Sequence, residues 1–129
     1  MPISVTVEKE SRRLRTVVEG QVSIDEVTTH FQTLTRDGLA GLPDLIDARP
    51  AQGPGWHSPD LRRAADLVST FASRGPFGPC AVVVSSNAAF GMVRTLSAPL
   101  ASRMPMEVFR DTAEAEAWLD GVSPRPAGS

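Results

Sequence analysis

Cys80-Ala81-Val82-Val83-Val84 is apolar at every position and is followed at once by the polar run Ser85-Ser86-Asn87. Five β-branched or small apolar residues without alternation predict a strand buried on both faces, as in the centre of a parallel sheet. The polar run after it has the chemistry of a helix cap. This strand-then-helix reading sets the fold class, and the flanking segments repeat it. Downstream, Phe90, Val93, Leu96 and Leu100 recur at helical spacing, with Pro99 placed to kink or split that helix. Glu107-Val108-Phe109 predicts a last strand. Asp111 with Glu114 has capping spacing, and Ala115, Trp118 and Leu119 supply the apolar side of a final helix.

Upstream, Ser58-Pro59-Asp60 is a helix start: a cap hydroxyl, proline at the first helical position and an acid facing the positive end of the dipole. Leu61, Ala64, Ala65, Val68, Phe71 and Ala72 form the apolar side of that helix, and Gly75-Pro76 stops it. Arg49 to His57 holds two prolines and two glycines and reads as a loop. It follows a short strand around Leu45-Ile46, set between Pro43-Asp44 and Asp47. Ser23-Ile24-Asp25-Glu26 carries the reciprocal capping-box spacing, with Ile24, Val27, Phe31 and Leu34 on one helical face and Gly38 as a stop. Ile3, Val5 and Val7 alternate with polar residues. Lys9 to Arg13 reads as a turn, and Leu14 to Glu19 as a second strand of an antiparallel hairpin. The order is β-β-α-β-α-β-α-β-α. It predicts an α/β fold with a mostly parallel five-stranded sheet and an antiparallel first strand.

The 129 residues fit one domain, expected over 1–122, with 123–129 as a flexible Pro-rich tail. Thirteen Lys+Arg against 15 Asp+Glu give a net charge of −2, so no electrostatic footprint for nucleic acid is present. Cys80 is the single cysteine, which excludes an internal disulfide and a cysteine metal site. The first residues lack a basic segment followed by an apolar one, and no run approaches the ~20 apolar residues of a spanning helix. The expectation is a cytoplasmic protein with no integral membrane segment.

The hairpin, the helix beginning Ser23-Ile24-Asp25-Glu26-Val27, the strand Leu45-Ile46-Asp47-Ala48-Arg49, the turn Asn87 to Arg94 and the ending Val108 to Ala115 together resemble the small bacterial SpoIIAA-like proteins, which share the STAS fold. The resemblance runs from Ile3 to Leu119. It implies a regulatory module without assigned activity, and through its likeness to lipid-binding folds it also implies a carrier or sensor of an apolar small molecule. By position it places a phosphorylatable serine at Ser58. The surrounding Trp56-His57-Ser58-Pro59-Asp60-Leu61 departs from the Asp-Ser-Ser/Thr-Gly motif of phospho-switched antagonists, and Pro59 removes a backbone donor that would help hold a phosphate.

Candidate ligand or partner residues are Asp47 and Arg49 at a strand end, Trp56, His57 and Ser58 in the loop beyond, and Ser85, Ser86 and Asn87 at the next strand end. Phe90 and Met92 on the third helix complete the set. His57, Ser58 and Asp60 are neighbours on one helix start and do not make a hydrolytic triad, so no catalytic residue is assigned. His30 has no second ligand at metal spacing, and Glu26 one turn earlier suggests a surface pair. Cys80 is expected to be an inert buried thiol. No cofactor and no metal are expected. Phe90, Met92, Val93, Leu96, Leu100, Met104 and Met106 exceed what one helix face needs, and three readings are open for them: a pocket, a self-association patch or plain core packing. Two functions follow. One is a non-catalytic interaction module, homodimeric or bound to a regulatory protein. The other is a carrier of an apolar ligand, which requires a cavity lined by Phe90, Met92 and Leu96.

Overall fold

The computed structural model describes residues 3–51, 58–73, 77–98 and 104–122. The side chains of Ile24, residues 58–61, Val68, Phe71 and Ala72 lie outside that description. Five strands and four helices follow one another as β1 (Ile3–Glu8), β2 (Arg13–Val18), α1 (Ile24–Arg36), β3 (Asp44–Asp47), α2 (Ser58–Ser73), β4 (Cys80–Val83), α3 (Asn87–Ser97), β5 (Met106–Phe109) and α4 (Thr112–Val122). The sheet order is β1-β2-β3-β4-β5, antiparallel between β1 and β2 and parallel elsewhere. This is the architecture the sequence predicts.

The order has a geometric consequence. Each parallel strand is laid beside the previous one in the same direction, and crossovers are right-handed. All three crossover helices must then fall on one face of the sheet. Accordingly α1 packs on α2 and α2 on α3, whereas α4 packs on β3, β4 and β5. Register puts Leu14, Asp44, Cys80 and Met106 in one row and Thr16, Ile46, Val82 and Val108 in the next. These two rows face the three helices, where Phe31, Phe77 and Met104 close over Cys80. The opposite rows bury Leu45, Ala81 and Val83 against Ala115 and Leu119 of α4. A strand with apolar residues on both faces is what this two-sided burial requires.

Local signals act where the sequence places them. The Ser23 hydroxyl accepts from the Glu26 amide, and the Glu26 carboxylate accepts from the Ser23 amide, each at 3.1 Å. Gly38 takes a φ of +72° just past α1, a conformation open to glycine. Gly75-Pro76, Pro99, Leu100 and the 123–129 tail lie outside the described residues.

One sequence reading needs correction. Arg13 is not part of the turn; it opens β2 and is buried. Its guanidinium donates to Asp120 of α4 at 2.6 Å, and next but one Arg15 donates to Glu116 at 3.1 Å. Both acids lie more than a hundred positions away in the chain, and nothing local announces them.

Gly78 sits where the chain entering β4 crosses the loop after α1. Its amide donates to the Ala40 carbonyl at 2.9 Å, and a Cβ there would collide with the Leu42 carbonyl. The obstacle is backbone, which cannot swing aside. Gly78→Ala is therefore expected to lose roughly 1–3 kcal/mol by overpacking, read as a lower urea midpoint at unchanged slope.

Candidate functional site: a cavity under the crossover helices

The helix-facing side of the sheet is not filled along its length. A cavity of about 700 Å³ lies between β2–β4 and the helices α1 and α3. Small residues make the room: Ala48 after β3, Ala64 on α2, and Ala88, Ala89 and Gly91 on α3. Ile46, Val82 and Val84 form the floor, and Phe31, Val93 and Met106 close one end. The mouth lies at the carboxyl ends of the parallel strands, where Gln21, Ala51, Ser85 and Ser86 are exposed. Open α/β sheets bind ligands at that position.

Among the described residues that line it, none is Asp, Glu, Lys or Arg. Thr16 lines the floor, and its hydroxyl is turned away to donate to Asp44 at 2.8 Å. Asp44 itself lies one row beyond, beside Cys80, and burial pushes its carboxyl up to about 6. Burial also drives the Cys80 thiol well above its ordinary range, with the Asp44 charge adding to the effect. Neither group lines the cavity.

His30 does line it. The Nε2 atom is shut off from solvent and has no hydrogen-bond partner. Its ring meets Phe31 edge-on with 5.5 Å between centroids, and burial lowers its pKa, so the imidazole is neutral near pH 7. The expected surface pair with Glu26 is not what holds it, because that carboxylate belongs to the capping box. A signal for this placement exists in the chain: Val27, His30, Phe31 and Leu34 fall on one helical stripe.

The other candidates distribute as follows. Asp47 and Arg49 satisfy each other through two side-chain hydrogen bonds of 2.9 Å, which hold the Asp47 carboxyl below its usual range. The Ser85 hydroxyl reaches the Arg49 carbonyl at 3.4 Å, so these three meet beside the mouth. Ser86 caps α3 by accepting from the Ala89 amide at 3.1 Å, and Asn87 is the first residue of that helix. Met92 and Leu96 line the cavity. Phe90 instead packs with Val82, Val84, Val93 and Val108 and lies 4.9 Å beneath the Arg110 guanidinium. Met104 is wholly buried beside Phe31 and Phe77. Trp56 and His57 lie outside the described residues, as does the Ser58 side chain, whose backbone begins α2.

Among the described residues no group of three His, Cys, Asp or Glu could hold a metal ion, and no helix is long and apolar enough to cross a membrane. No family model and no curated protein matches the chain. A solved structure does: an uncharacterized protein of the DUF3478 family with a SpoIIAA-like fold, from Shewanella loihica PV-4. It is 18% identical, covers 91% of each chain and superposes with a TM-score of 0.57. The likeness is one of fold.

Proposed function

We propose that this SpoIIAA-like domain is a non-catalytic module that binds a small apolar molecule between its sheet and helices α1 and α3. The observation that carries this reading is the cavity. At about 700 Å³ it lies within the range of roughly 300–1,000 Å³ typical of small-molecule sites. Its surroundings support binding over chemistry, since the buried Asp44 and Cys80 do not line it. The test uses the hydrocarbon fluorophore 1,6-diphenylhexatriene, which brightens when it leaves water. Wild-type protein is expected to bind it, and Ala89→Trp, which fills the space, to bind it at least tenfold more weakly with unchanged circular dichroism. Equal binding by the two proteins, or none by either, would count against the cavity.

A second reading, the interaction module, has its own observation. Val5 and Val7 of β1 are 38% and 42% exposed, and they point to the same side as Leu14 and Thr16. Among the described residues no crossover helix packs extensively on this edge strand, and an uncovered apolar edge invites strand pairing. A homodimer or a regulatory protein partner would cover it. Light scattering is the check: a dimer that Val5→Lys with Val7→Lys converts to monomer supports the reading, and a wild-type monomer at high concentration opposes it. The single domain over 1–122, the cytoplasmic bacterial setting and modification at Ser58 belong to this second reading, and phosphoproteomics of the source cell addresses the last.

A further inference from the structure

We infer that the β1 edge is a binding site for a second copy of this chain, added as an antiparallel strand in one register, with the two-fold axis at Val5. The inference rests on the interaction reading of β1 and specifies its partner. Backbone direction comes first. In a strand the N–H and C=O of one residue point to the same side, and successive residues alternate. The Leu14 amide donates to the Pro43 carbonyl at 2.8 Å, and the Gly20 amide to the Pro50 carbonyl at 3.2 Å. Leu14, Thr16 and Val18 therefore turn their backbone toward β3. Arg13, Arg15 and Val17 turn theirs toward β1, where they meet Glu8, Thr6 and Ser4. The rest of β1, namely Ile3, Val5 and Val7, directs its amides and carbonyls outward. β1 ends the sheet on that side, and no described group takes them up.

These same residues carry the apolar side chains, and Ser4 to Glu8 is exposed on both faces of the strand. Edges that must stay unpaired carry a proline, a lysine or a bulge. Ile3 to Val7 has neither residue, and its register with β2 is unbroken. A second copy fits this edge by its own symmetry. Hydrogen-bonded antiparallel pairs need an outward residue opposite an outward residue. With the axis at Val5, Ile3 faces the partner's Val7 and Val5 faces the partner's Val5, so the outward set is matched whole with itself. Valine meets apolar side chains on one face, and Ser4 meets the partner's Thr6 on the other, which are favourable cross-strand pairs. Centring the axis on Thr6 sets Lys9 against the partner's Ile3, and centring it on Val7 sets Lys9 against the partner's Val5. The Val5 register keeps every charge out of the paired span. It leaves the two Glu8 carboxylates at opposite ends, roughly 20 Å apart at ~3.4 Å per residue, where salt screens them.

The experiment uses the full chain. Light scattering measures wild-type association. An equimolar mixture of Ser4→Cys and Thr6→Cys is oxidised mildly, and its disulfides are read by intact mass; Cys80 is buried and takes no part. Ser4 and the partner's Thr6 would lie about 4.5 Å apart between Cα atoms, within disulfide reach, whereas like residues would lie about 7–8 Å apart on the diagonal, beyond it. The mixed disulfide is expected to exceed each like-with-like one at least fivefold. Val5→Pro removes an outward amide and spares the bonds to β2. It should keep its circular dichroism and dimerise at least tenfold more weakly; if the fold is lost, the disulfide ratio decides by itself. A wild-type dimer that Val5→Lys with Val7→Lys dissociates, but that forms like-with-like disulfides as readily as mixed ones or survives Val5→Pro, would overturn this register and leave the edge as an interface. A wild type that stays monomeric at high concentration would overturn both.

Discussion

Asp44→Asn should be more stable than the wild type at pH 8, by up to about 3 kcal/mol, and the difference should vanish near pH 4. The cause is burial. Asp44 is 3% exposed, in the row between Leu14 and Cys80, and the hydrogen bond it accepts from Thr16 only partly offsets the loss of water. Its carboxyl is pushed from 3.8 to about 6. The folded protein thus holds a proton that the unfolded chain releases near pH 4. A folded pKa raised above the unfolded one gives stability at low pH that is lost as pH climbs through the interval from about 4 to 6. Two pKa units at 1.36 kcal/mol each set the magnitude. Asparagine keeps the shape and an acceptor for Thr16 but has no charge to bury. Urea denaturation of both proteins at pH 4, 6 and 8 checks this, and a variant weaker than wild type at pH 8 would mean that the carboxylate is stabilised where it lies. Carboxylates held low by partners, such as Asp47 beside Arg49, act in the opposite sense. The comparison between the two proteins cancels their effect.

Leu119→Ala should be among the most damaging truncations, costing about 2–5 kcal/mol. Leu119 is wholly buried, packed with Leu45, Ala81, Val83 and Ala115. Two of those neighbours are already alanine, so little can move in to fill the void. Met92→Ala on the other face is expected to lose less than about 1 kcal/mol, because its side chain borders empty space and forfeits few contacts. The contrast between the two variants measures how solid each side of the sheet is. Similar losses would mean that the space beside Met92 is closed in solution.

The alternation of β1, the unbroken apolar run of β4 and the capping box of α1 made the element order legible, because each is a local pattern with a local cause. Right-handed crossovers then settle which face the helices take. Asp44 was hidden because it follows Pro43 and looks like a turn residue, whereas strand parity carries it inward beside Cys80. Arg13 has a turn residue's local setting, because its partner Asp120 belongs to the last helix. The cavity was only half visible. Surplus methionines and leucines near α3 are compatible with a pocket, a self-association patch or plain core packing, and of the three residues named for a pocket Met92 and Leu96 border the cavity while Phe90 does not. Its volume comes from alanines and Gly91, gathered from separate elements, and periodicity does not say how closely two layers approach.

Strands that lie side by side in the order of their synthesis let the sheet grow from one edge as the chain emerges, with each pairing made to the strand just completed. Such neighbour-by-neighbour assembly keeps closure distances short and favours fast folding. The exception is the last helix, which among the described residues seals the row of Leu45, Ala81 and Val83. Until α4 is made, a nascent chain carries that greasy surface bare, so ribosome stalling or premature termination before Thr112 would release a product prone to clump rather than a smaller working version of the protein.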